Sequence, residues 1–201
     1  LDELEELINV EYRQRKKEIS EPQKASYDNL NYTIGDNIGV YTIHKELGGG
    51  GYAKVFAVKH GLQGKMYAMK LFHESVSLKS VTDEYEALKN LHHPNIVTFI
   101  WNDSTVNGQF FTLMEYLEGE DLKEYTKGEL SLPSKKIYQV GYEIISALIQ
   151  MQERDKPILH RDIKPQNIIW ANKEKFVLID FNVAAIINGN TEYVGTNPYL
   201  A

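Results

Sequence analysis

His160-Arg161-Asp162-Ile163-Lys164-Pro165-Gln166-Asn167 decides the reading of this chain. An acid, a lysine and an asparagine stand within residues 162–167. Phosphoryl transfer at a metal site needs those three groups close together. The acid orients a hydroxyl nucleophile, the cation meets charge on the moving phosphoryl group, and the amide oxygen takes a magnesium ion. The apolar runs Pro157-Ile158-Leu159 and Ile168-Ile169-Trp170 flank the octet, so it reads as a turn between two short strands. Downstream, Phe176-Val177-Leu178-Ile179 reads as a buried strand ending in the acid Asp180, followed by Phe181 and Asn182.

Composition narrows the class. The chain has 201 residues, 42% hydrophobic and 25% charged, enough to bury a substantial core in one domain or two small lobes. The net charge of −6 argues against a nucleic-acid partner or an anionic membrane held by bulk charge. No apolar run approaches the roughly 18 residues of a membrane span, and no signal-peptide pattern is present. With no cysteine, disulfides, thiolate zinc sites and cysteine nucleophiles are excluded, which suits a cytoplasmic location.

Working outward from the octet, residues 1–22 read as a helix closed by Pro22. Leu1, Leu4, Ile8 and Tyr12 form one stripe and acids precede a basic run. Such a helix packs on its own domain, leads from an upstream domain or meets a partner. Residues 23–37 are polar and read as a linker. Strands are expected over Val40–Leu47, Val55–Val58, Met66–Phe72, Ile96–Trp101 and Gln109–Glu115, with the four glycines Gly48–Gly51 after the first and an Asn107-Gly108 turn before the last. A helix is expected over 77–91, with Val81, Leu88 and Leu91 inward. A second is expected over 134–154, carrying Ile137, Val140, Ile144, Ala147, Leu148 and Met151 at helical spacing. Residues 38–117 thus read as a small antiparallel lobe with one helix, and 118–201 as part of a mostly helical lobe.

The octet resembles the catalytic loop of eukaryotic-type serine/threonine protein kinases, and Asp180-Phe181-Asn182 resembles the metal-binding DFG motif of that family with Asn182 in place of glycine. Leu47-Gly48-Gly49-Gly50-Gly51-Tyr52-Ala53-Lys54-Val55 resembles the family's glycine-rich loop, with Ala53 at its third glycine. The resemblance runs from about residue 41 to 201 with every motif in order. It implies a two-lobed α+β fold and ATP with Mg2+ as cofactors. The implied reaction transfers the γ-phosphoryl group to a serine or threonine hydroxyl of a protein substrate.

Carried over residue by residue, the resemblance makes Asp162 the base that orients the hydroxyl and Lys164 the cation at the transferring group. Asn167 and Asp180 become the magnesium ligands. Lys70 becomes the lysine on the α- and β-phosphates. Its acidic partner is Glu84, which also falls on the buried stripe of the 77–91 helix, where a carboxylate needs a partner. Leu47, Gly48, Gly50, Val55, Ala68 and Ile169 are implied around the nucleotide, with Val55, Ala68 and Ile169 sandwiching the adenine. In Thr112–Gly119, which resembles the interlobe hinge, Met114 is the implied gatekeeper. The main chains of Glu115 and Leu117 would meet the adenine, and Asp121 the ribose. Gly195-Thr196-Asn197-Pro198-Tyr199 resembles the substrate-positioning end of the activation segment, with Thr196 near Asp162 and Lys164. Arg161 resembles the arginine that pairs with an activation-loop phosphate; Glu192 offers it a carboxylate without modification, and Thr191 a phosphorylation site. Two other classes share most of these motifs: a nucleotide-binding regulatory module that transfers nothing, for which Asn182 and Ala53 speak, and a kinase-like phosphotransferase for small molecules, against which Lys164-Pro165 speaks.

Overall fold

The computed structural model describes residues 32–73, 76, 78–105, 108–126, 132–181 and 184–186, without the side chains of 78, 80, 83, 84, 87, 126, 185 and 186. The helix expected over 1–22, most of the linker after it, the Asn107 half of the expected turn, Asn182, Thr191, Glu192 and Thr196 lie outside the described residues.

The first lobe is a six-stranded antiparallel sheet in the order β1-β2-β3-β4-β6-β5. Its strands are β1 (Asn37–Ile38), β2 (Tyr41–Gly49), β3 (Ala53–His60), β4 (Met66–Phe72), β5 (Phe99–Ser104) and β6 (Phe110–Glu115). β1 begins at Asn37, the last residue of the expected linker, and ends at Ile38, the first of the expected lobe. The side chain of Asp36 accepts the N–H of Thr33, Gly35 N–H donates to Ile43 O, and Gly39 at φ +58 makes the tight return into β2. Polar composition masked this short hairpin, whose single apolar anchor, Ile38, is buried.

β2 extends past the expected Leu47 through Gly49, because Gly48 and Gly49 still pair with Val55 and Lys54. Register shifts after Ile43 and after Glu46 bulge the strand and add twist. β5 starts three residues later than expected. Residues 95–97 bond elsewhere: Leu178 N–H donates to Asn95 O, Val97 N–H donates to Leu178 O, and Ile96 makes a parallel bridge with Leu178. The apolar run Ile96-Val97 therefore belongs to the second lobe's core.

Helix α1 (Leu78–Leu88) is shorter than the 77–91 expected. Leu91 N–H reaches back only three residues, to Leu88 O, a tightened last turn before His92-His93-Pro94. Val81, Leu88 and Leu91 are buried as the stripe requires.

Beyond the connection at 116–118 come β7 (Gly119–Asp121), helix α2 (Ser134–Gln152), β8 (Ile158–Leu159), β9 (Ile168–Ala171), β10 (Lys175–Leu178) and β11 (Ala185–Ile186). They form two small sheets, β10-β9-β7 and β11-β8. Pro133 opens α2, its carbonyl accepting the N–H groups of Lys136 and Ile137. Ile144, Ala147 and Met151 are buried on the expected stripe, with Val140 and Leu148 packed beside them, whereas Ile137 in the first turn stays exposed. Asn172 and Lys173, at φ 51 and 59, are the left-handed central residues of the β9–β10 turn, which Glu174 N–H closes on Ala171 O. One cluster of buried residues spans both lobes, from Leu88 and Ile96 through Met114 to Phe176, Leu178 and Phe181, and a separate one gathers Ala53, Phe72 and Val81.

Gly119 carries the tightest backbone approach. A Cβ there would run into the carbonyl oxygen of Trp170, where β7 pairs antiparallel with β9. Gly119→Ala is expected to destabilise the fold by about 1–3 kcal/mol, because a backbone oxygen cannot rotate away as a side chain can. Urea unfolding checks this; an unchanged midpoint would contradict the close approach.

Candidate active site

The glycine hairpin between β2 and β3 has a tip of only Gly50, Gly51 and Tyr52. Gly50 N–H donates to Ala53 O across it. A Cβ at Gly48, Gly50 or Gly51 would meet nothing within 4 Å. Internal packing therefore does not demand these glycines; what they leave is room beside the main chain. Ala53, where the family pattern has glycine, buries its methyl against Phe72 and Val81. Leu47 is partly exposed at the mouth of the hairpin.

Lys70 lies on β4 across from Val55 on β3 and Thr112 on β6, while Met69 and Leu71 fill the opposite face. Lys70 is only 4% exposed, and a buried ammonium needs a partner. Its Nζ stands 3.1 Å from Asp180 Oδ1, over the Phe72 ring. Glu84 is on α1 as expected, but its side chain is outside the described set, so the expected Lys70–Glu84 pair is too.

The octet crosses from β8 to β9 through a short 3-10 turn, Pro165–Asn167. Asp162 Oδ2 lies 2.7 Å from Lys164 Nζ and accepts from Asn167 Nδ2 at 3.0 Å. Asn167 Nδ2 donates also to Asp162 O at 2.8 Å. Both partners are acceptors, which fixes the amide orientation and leaves Oδ1 as the acceptor end. Asn167 is itself buried, and its carbonyl accepts Ile179 N–H one residue before Asp180. Two clusters, Asp162–Lys164–Asn167 and Lys70–Asp180, thereby share one main-chain link. Arg161 (φ 63) and Asp180 (φ 64) both take left-handed backbone, a strained choice for non-glycine residues that concentrates at functional sites.

His160 was not singled out from sequence, though it begins the octet. It is 2% exposed, its Nε2 lies 3.1 Å from Ile179 O, and its Nδ1 accepts the Asp162 N–H. These partners require the neutral tautomer with hydrogen on Nε2. Its ring also meets Phe181 edge-on, at 4.6 Å between centroids. One imidazole thus positions both the Asp162 loop and the segment bearing Asp180. A second unforeseen group is Glu143 on α2. Its Oε2 accepts Phe176 N–H at 2.6 Å and Asn95 Nδ2 at 3.1 Å, tying β10 to the turn after α1. The sequence signal for Glu143 is a carboxylate one position before the buried Ile144, too weak to stand out.

Burial pushes the His160 and His93 imidazoles below the usual 6.5. Below about pH 6.5 the unfolded chain takes up protons that the folded chain refuses. Their contribution to stability is therefore complete above 6.5 and falls as pH drops toward the folded values. Urea midpoints are expected to decrease between about pH 7 and pH 5.5; a constant midpoint over that interval would contradict the neutral His160 assignment.

At the connection between lobes, Met114 is buried and pairs with Ala68 and Phe99. Glu115 N–H donates to Thr98 O, so an adenine contact at this residue falls to its carbonyl. Leu117 N–H has no partner among the described residues. Asp121 Oδ1 accepts the N–H groups of Lys123 and Glu124, capping the turn Glu124–Thr126. Ile169 pairs with Asp121 on one side and Val177 on the other. The donors Asp180 and Asn167 Oδ1 are hard oxygens. Among the described residues no cluster of three or more His, Cys, Asp or Glu could hold a metal. Magnesium fits such a sparse set, because it keeps waters and takes phosphate oxygens as ligands.

Residues 41–201 match the family model described as protein kinase domain. The chain is 30% identical to the serine/threonine-protein kinase cds1 of Schizosaccharomyces pombe, over 90% of this chain and 41% of that protein. It is 30% identical to the serine/threonine-protein kinase PrkC of Bacillus subtilis, over 79% of this chain and 25% of that protein. Mitogen-activated protein kinase kinase 2 of Arabidopsis thaliana is 24% identical, over 94% of this chain and 52% of that protein. The chain thus spans between a quarter and about half the length of these relatives.

Proposed function

The chain belongs to the protein kinase family, and from that premise we propose that it transfers the γ-phosphoryl group of ATP to serine or threonine hydroxyls of a protein substrate. The observation that carries this reading is the junction at Ile179, where its N–H bonds Asn167 O and its O bonds His160. It couples the acid Asp162 with its lysine to the Lys70–Asp180 pair.

In this reading Asp162 Oδ2 accepts the hydrogen of the incoming hydroxyl and aims its oxygen. Lys164 stays beside it to meet negative charge on the phosphoryl oxygens. Lys70 turns its ammonium to the nucleotide's phosphates. Asn167 Oδ1 and Asp180 would hold magnesium, which when bound draws charge from the phosphate oxygens. Val55, Ala68 and Ile169 would clasp the adenine, with Glu115 O and Leu117 N–H at its edge. A cytoplasmic setting and a substrate held without nucleic acid or membrane belong to the same proposal.

Incubation of the protein with γ-labelled ATP, magnesium and a mixed protein substrate, followed by phosphosite mapping, tests it. Label on serine and threonine is the expected result. Label confined to tyrosine would overturn the hydroxyl assignment, and ATP binding without any transfer would favour the regulatory-module reading instead.

A further inference from the structure

His73, immediately after β4 and three positions beyond Lys70, bonds the tip of the glycine hairpin twice. Its Nε2 lies 3.0 Å from Gly50 O, and its main-chain N–H donates to Tyr52 O at 2.9 Å. A carbonyl can only accept, so Nε2 carries the hydrogen whether the ring is neutral or charged. Val76 N–H in turn holds His73 O.

A planar trans peptide points its C=O and the following N–H in opposite directions. Fixing Gly50 O on the imidazole therefore turns Gly51 N–H away from His73. Fixing Tyr52 O does the same to Ala53 N–H. Gly51 N–H has no hydrogen-bond partner among the described residues. A main-chain amide held in a fixed direction, with open space around the glycine that carries it, is a ready donor to anionic oxygens. The glycines alone would let these peptide planes rotate freely.

We propose that His73 is a positioning residue for the nucleotide's phosphates: its imidazole locks the Gly50–Gly51 peptide plane of the glycine hairpin so that Gly51 N–H is presented to the anion. The inference rests on the proposed ATP-binding reading.

Affinities for ATP–magnesium and for adenosine, measured by calorimetry on the full chain, test it. His73→Ala is expected to weaken ATP about three- to tenfold, the effect of one net hydrogen bond, and to leave adenosine unchanged. His73→Gln, whose amide can donate to the same carbonyl, should recover most of the loss. His73→Phe, a ring without a donor, should behave as the alanine variant and serves if that one fails to fold. Unchanged ATP affinity in the donor-free variants would overturn the proposal while leaving the kinase reading intact. Equal losses for ATP and adenosine would reduce His73 to a general structural role and also overturn it. A wild-type chain that binds adenosine and ATP equally would remove the phosphate contact itself, and a wild-type chain that binds neither would sink the ATP reading and the proposal together.

Discussion

Asp162→Asn is expected to lower phosphoryl transfer by about 10²–10⁴-fold, the usual contribution of a positioned acid/base group. Asp162 presents one carboxylate oxygen to both Lys164 and Asn167. An amide in its place keeps the shape but neither accepts a proton nor balances the lysine's charge. Steady-state rates at saturating ATP measure the loss, and calorimetric ATP titration should give nearly the wild-type affinity, because none of the proposed nucleotide contacts lies on Asp162. Transfer at the wild-type rate would remove Asp162 from the mechanism. A parallel collapse of ATP affinity would point to a structural role.

Phe181→Ala should cost about 3–5 kcal/mol of stability. Phe181 has no exposed surface, and its ring lies against His160. Truncation would open a cavity beneath the residue next to Asp180 and leave His160 without its aromatic wall. Phe181→Leu, closer in volume, should cost clearly less, about 1–1.5 kcal/mol. Chemical denaturation distinguishes the two. A loss under about 1 kcal/mol for the alanine variant would mean that the segment carrying Asp180 is not packed as described.

Much of this site was legible because its groups lie close in sequence. Asp162, Lys164 and Asn167 sit on one short turn, and that turn alone brings them together. Lys70 and Asp180 are 110 positions apart, yet each ends or interrupts an apolar run, and a charge there stands out. The residues that hold them were harder to read. Whether Ile96-Val97 adds to the first sheet or to Leu178 depends on distant partners: Leu178 N–H donates to Asn95 O, and the Asn95 side-chain amide donates to Phe176 O, 81 positions away. His160 looked like part of a motif, and only its two ring partners reveal that it joins the two clusters. His73 carries no motif at all. Its relevance follows from the hairpin folding back to place Gly50 O within reach. The exposed side of α2, with Tyr138, Tyr142, Ile145 and Ile149, shows the limit of periodicity, because apolar residues on both sides of a helix do not say which side meets the core.

In the proposed reading Asp180 and Asn167 make nucleotide binding depend on magnesium beside Lys70. ATP affinity measured with magnesium and with a chelator, for the wild type and for Asp180→Asn, tests it most directly. Clearly tighter binding with magnesium is expected in the wild type, with loss of most of that difference in Asp180→Asn and the chelator value little changed. Equal affinity with and without magnesium in the wild type, or an undiminished magnesium effect in Asp180→Asn, would contradict it.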